Sequence, residues 1–156
     1  MLELLTVIMI AASPISELRG AIPVAFGVYH FPWYWALFVS VIGNLLPVPF
    51  ILLFARPAIT LLSRFRPSAF FIGKLLAHVT KRSNRIERYE RIGLALFVAV
   101  PLPVTGAWTG SLAAVFLGFK FRHSFISIAV GVVIAGIVVT GATMFGLGIW
   151  NLLQVS

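Results

Sequence analysis

Four long apolar runs alternate with short polar stretches along this chain: Leu4–Tyr29, Trp33–Leu62, Ile92–Phe119 and Phe125–Leu153. A helix needs about 20 residues to cross a bilayer, so every run predicts helical membrane segments. The second and fourth runs suit full crossings. The first and third are interrupted near their middles. In the first run the interruption is Pro14 to Pro23, which holds Glu17, Arg19 and Gly20. In the third it is Pro101 to Gly110, which holds Pro103, Thr105, Gly106, Trp108 and Thr109. Prolines remove backbone donors and restrict the residue before them, and glycine permits angles that other residues avoid. The flanking runs, about 9 to 12 residues each, span about half a bilayer at about 1.5 Å per residue. Each interrupted run therefore predicts a re-entrant hairpin of two half-helices, with breaks marked by Pro14, Gly20, Pro23, Pro101, Pro103, Gly106 and Gly110.

Charge placement tests that pattern. Arg64, Arg66, Lys74, Lys81, Arg82, Arg85, Arg88 and Arg91 fall in the linker between the second and third runs, and Lys120 and Arg122 between the third and fourth. Four full crossings would put these loops on opposite sides. Two hairpins put ten of the twelve basic residues on one side, which the positive-inside rule assigns to the cytoplasm. Both termini then lie outside. The resulting fold is an all-α integral membrane protein in one domain, residues 1–156. Its first unit (1–62, hairpin plus crossing) and an inverted second unit (92–156) are joined by a basic amphipathic linker (63–91). Inverted repeats with broken helices are a transporter architecture.

Composition agrees with a multi-pass cell-membrane location. The 156 residues are 60% hydrophobic and 10% charged, and the mean hydropathy is +1.05. The net charge of +8 would suggest nucleic acid in a soluble protein, but here it belongs to membrane loops, so no nucleic-acid partner is expected. With no cysteine there is no disulfide or thiolate metal site. Met1–Ser13 resembles a signal-peptide core, yet its only charge is Glu3 rather than Lys or Arg, and the segment is expected to stay in the mature protein.

Smaller features fill in the picture. Tyr29, Phe31, Trp33, Tyr34, Trp35 and Trp150 suit an outer aromatic belt. Asn44 to Pro49 is a second polar and proline interruption, read equally as a kink and as placing Asn44 on the Glu17 cavity. Pro67, the spacing of Phe71, Leu75 and Val79, and the Asn84/Glu87 pair predict surface helices in the linker. Gly131, Gly136, Gly141, Gly146 and Gly148 predict close helix packing, with a dimer seam as one outcome.

Glu17 and Arg19 are the strongest chemical candidates. They read either as a structural ion pair or as a functional site. A carboxylate facing a membrane cavity can titrate, because loss of solvent penalises its charge, and a guanidinium suits a phosphate headgroup. Asn44, Thr105, Thr109 and Arg91 complete the candidate substrate or ion contacts. Trp108 reads as a gate or as packing. His30, His78 and His123 are scattered, and no metal, cofactor or catalytic constellation is recognisable. An enzyme is not expected. Without a phosphate-binding loop, any motive force must be an ion gradient or the substrate's own.

Ser16-Glu17-Leu18-Arg19-Gly20-Ala21-Ile22-Pro23, Gly43-Asn44-Leu45-Leu46-Pro47-Val48-Pro49 and Pro101-Leu102-Pro103-Val104-Thr105-Gly106-Ala107-Trp108-Thr109-Gly110-Ser111 resemble the motifs of the small multidrug export protein family. The usual third motif has Gly in place of Val104 and often Tyr in place of Trp108. That family is in turn similar to the DedA superfamily, whose members carry two re-entrant hairpins. The resemblance implies proton-coupled movement of polyprenyl phosphate or other lipids, with Glu17 as the acidic residue of the first hairpin. The second DedA hairpin usually carries arginines. Residues 101–111 carry none, which leaves Arg19 and Arg91 to supply positive charge. The expectation is a secondary transporter or lipid translocase, a homodimer, with membrane lipids and protons as partners. The alternatives are a proton-coupled exporter of amphipathic cations and a non-transporting membrane scaffold.

Overall fold

A computed structural model describes the backbone of residues 1–63, 84–102 and 105–154. Every regular element among them is helical: α1 (Leu2–Ala12), α2 (Glu17–Pro23) continued by a π turn (Val24–Val28), α3 (Trp33–Leu45), α4 (Pro47–Ser63), α5 (Asn84–Ala99), α6 (Ala107–Phe116) and α7 (Phe121–Gln154). The surface helices expected from Pro67 to Lys81 lie outside the described residues, as do Pro103, Val104 and the side chain of Trp150.

Both interrupted runs do break, but over shorter stretches than their prolines and glycines suggest. In the first, α1 stops at Ala12 and α2 starts at Glu17. Gly20 and Pro23 therefore lie inside α2 rather than in the break. Pro23 is the last residue of the helix, and the wider π turn follows it directly. Gly20 serves packing instead, because a Cβ there would stand 2.8 Å from that of Ser16. In the third run α5 ends at Ala99 and α6 begins at Ala107. Gly110 is helical too, and its missing side chain admits Val98 of α5. Thr105 organises this second break: its hydroxyl donates to the Val100 carbonyl and accepts from the Leu102 amide. α5 runs unbroken from Asn84 to Ala99, across residue 92 where the second unit was expected to begin.

The kink in the second run falls at Leu46, between α3 and α4, where Pro47 and Pro49 follow. The combined stretch Trp33–Ala55 and the α7 stretch Phe121–Gly146 are long and apolar enough to cross a membrane. Their outward faces are apolar as well. Phe38, Ile42, Phe50, Leu53 and Phe54 on the first, and Ile126, Val130, Ile134, Ile137 and Val138 on the second, are all exposed. Soluble proteins rarely expose such continuous apolar faces, whereas hydrocarbon solvates them without cost. Trp33, Tyr34 and Trp35 stand exposed at the start of α3.

Two cores sit beneath these faces. Leu18 and Ile22 of α2 pack with Val48 and Leu52 of α4, Leu94 and Val98 of α5, Ala107, Ala114 and Val115 of α6, and Ile128, Val132, Ala135 and Val139 of α7. A smaller core joins Val7 and Ala11 of α1, Ala21 of α2, Ala25 of the π turn, and Ala36 and Val39 of α3. α2 contributes to both cores, one on each face. Glycines set the closest approaches. Gly43 brings α3 against the α1 backbone at Ile8, Gly131 brings α7 against the Ala95 carbonyl of α5, and Gly136 seats Leu37 of α3. A Cβ on Gly141 or Gly146 of α7 would meet nothing among the described residues.

Candidate functional site

The two breaks meet, and Glu17 is where they touch. Its φ of 46° is left-handed, a region that costs a residue with a side chain about 1–2 kcal/mol. That turn carries its side chain inward to α6, and Glu17 is only 6% exposed. The Trp108 amide donates to its Oε1 at 3.3 Å, with the Ala107 amide also directed at the carboxylate. These are the first amides of α6, which have no partner within the helix, and the helix dipole places partial positive charge there. A helix N-terminus favours an anionic group, and at α6 the group that meets it is the chain's own Glu17 carboxyl. Gly106 makes this possible, because a Cβ on Gly106 would overlap the Glu17 carboxylate.

Arg19 lies two residues on and makes a second tie. Its guanidinium donates to the Thr105 carbonyl at 2.6 Å and stands 3.9 Å from Glu17 Oε2. Its strongest described contact is thus to the second break, with the carboxylate as a looser neighbour. Trp108 makes a third tie, its indole N–H donating to the Ala12 carbonyl at 3.0 Å. Ala12 is the last residue of α1, so this bond caps a carbonyl that the helix leaves unpaired. Trp108 therefore clasps both sides of the first break.

A small cavity adjoins the clasp. Glu17, Leu18, Arg19, Asn44, Pro101, Thr105, Gly106 and Ala107 line it, and Val98, Val132, Ala135 and Val139 close it. The structure thus brings Glu17, Arg19, Asn44 and Thr105 together. Asn44 lines the cavity, and the kink lies two residues beyond it. Thr105 contributes its carbonyl rather than its hydroxyl. Thr109 does not join the lining; its hydroxyl donates back to the Gly106 carbonyl at 3.4 Å. Arg91 is exposed on α5 and lies outside the lining. Gly106 and Trp108 had sequence signals, as a break residue and an aromatic beside it, but they lie 89 and 91 positions from Glu17, and that pairing was not readable from spacing.

Residues 17–138 match the model of a protein family described as "Putative small multi-drug export protein". The match opens on Glu17, at the end of the first break, and takes in the second break, the first long apolar stretch and the second as far as residue 138. Neither a search of curated proteins nor one of solved structures found a match.

Proposed function

The chain belongs to the small multi-drug export protein family, and from that premise we propose a secondary transporter that moves an anionic amphiphile, such as a polyprenyl phosphate, across the cell membrane. The observation that supports this reading is the clasp. A carboxylate and a guanidinium, costly groups at membrane depth that usually mark transport pathways, are held where two helix breaks meet. Arg19 is the anion contact. Its planar fork has five donors, and one of them reaches the Thr105 carbonyl. Glu17 is the proton-exchanging group. A proton on its carboxylate would weaken the hold on α6 and on Arg19 together, and so free Arg19 for a headgroup.

In this reading each break belongs to a re-entrant hairpin, the two units form an inverted repeat, and the basic linker faces the cytoplasm with both termini outside. The cavity is far smaller than an amphiphile, so the pathway opens by parting the clasp, with a second copy of the chain completing its walls. The family's description favours a second reading, export of amphipathic cations with Glu17 as the contact.

Purified protein in proteoliposomes under a proton gradient separates these. The substrates are a fluorescent polyprenyl phosphate and a lipophilic cationic dye. A hydrogen bond to a charged group is worth about 1.5–3 kcal/mol, so Arg19→Ala should slow phosphate transport about 10- to 100-fold. Glu17→Gln should remove its dependence on the gradient. Dye transport that survives Arg19→Ala and stops with Glu17→Gln would establish the cation reading. Variants that change only stability or assembly would leave a scaffold.

A further inference from the structure

Asn44 is 1% exposed on α3, and its Oδ1 is buried without a hydrogen-bond partner among the described residues. Buried polar atoms are paired in the large majority of cases, with ordered water serving where protein does not. Asn44 lines the same cavity as Glu17 and Arg19. That cavity leaves about 10 Å³ for the centre of a water molecule, which is about the room one water needs. A second gap points to the same place. Arg19 and Glu17 Oε2 stand 3.9 Å apart, beyond direct hydrogen bonding, a separation that a water beside the pair can bridge.

We propose that this cavity is a binding site for a single water, which joins Asn44 of α3 to the Glu17–Arg19 pair. The donors and acceptors balance. The water accepts from the Arg19 guanidinium and donates one proton to Asn44 Oδ1 and the other to Glu17 Oε2. Three partners is the usual number for a buried water. A metal cation fits worse, because the guanidinium already balances the carboxylate charge and would repel it. An anion fits worse still, having no room and facing two acceptor oxygens. Glu17 is then held at both oxygens, by the Trp108 amide at Oε1 and by the water at Oε2. Asn44 is a positioning residue that acts on Glu17 through the water. The site is independent of what the chain carries.

The test is a crystal structure of the wild-type protein in a lipid mesophase, at a resolution that shows ordered water, grown once in sodium chloride and once in rubidium chloride. The expected result is one peak within hydrogen-bond distance of Asn44 Oδ1 and Glu17 Oε2 in both crystals, without rubidium anomalous signal. An anomalous peak would make it a cation site and overturn the proposal. So would a cavity without a peak, or an Asn44 Oδ1 bonded to a protein donor. Asn44→Leu, which fills the space without an acceptor, should lose the peak, whereas Asn44→Asp should keep it.

Discussion

At the scale of single residues, Glu17 holds a strained backbone angle so that its carboxylate can reach the first amides of α6. Gly106 makes room for that reach. Gly106→Ala should therefore destabilise the protein by about 1–3 kcal/mol, the usual cost of overpacking, measured by thermal unfolding in detergent. The cost should fall sharply when Glu17 is already alanine, because the overlapping group has gone. A double-mutant cycle reads that coupling directly, and an unchanged cost in the Glu17→Ala background would mean that the two residues do not meet. Trp108→Phe, which keeps the ring but deletes the bond to Ala12, should cost about 0.5–1.5 kcal/mol in the same assay. Glu17 and Arg19 were legible from sequence because charge stands out in an apolar run. Their partners were not, since backbone amides and carbonyls carry no sequence signature and every residue but proline has the same pair.

Among the helices, the breaks were legible and their edges were not. Proline and glycine announce that a helix is interrupted, but they do not say whether a given residue lies in the gap or inside the helix. Gly20, Pro23 and Gly110 are helical because local packing accepts them there: Gly20 against Ser16, Gly110 against Val98, and Pro23 at a helix end that widens into a π turn. The glycines of α7 divide in the same way. Gly131 and Gly136 are spent on contacts within the chain, whereas Gly141 and Gly146 meet nothing among the described residues. Gly43→Leu should therefore drive α3 away from α1 and lower stability by about 1–3 kcal/mol or more. Gly141→Leu should leave the unfolding temperature of the monomer nearly unchanged, as surface substitutions do. If Gly141→Leu also abolishes chemical cross-linking of two copies, that face is where they join.

For the whole molecule, composition was enough to indicate a membrane protein, because so much apolar surface has no other solvent. Sidedness rests on the distribution of basic residues and is open to direct measurement. The chain has no cysteine, so single cysteines placed at Ser83, His123 and Ser156 can be labelled from outside with an impermeant thiol reagent. Only position 156 should react. Labelling at position 123 alone would mean four plain crossings, and the inverted repeat would fall. The α7 helix carries a further consequence. Its 34 residues extend about 51 Å at about 1.5 Å per residue, and its apolar stretch of 26 residues about 39 Å, against a hydrocarbon core of about 30 Å. The excess must be taken up by tilting, by projecting from the surface or by thickening the surrounding lipid. Bilayer thickness should therefore act on this protein: longer acyl chains should relieve the mismatch, and shorter ones should lean α7 further over the clasp that it helps to enclose.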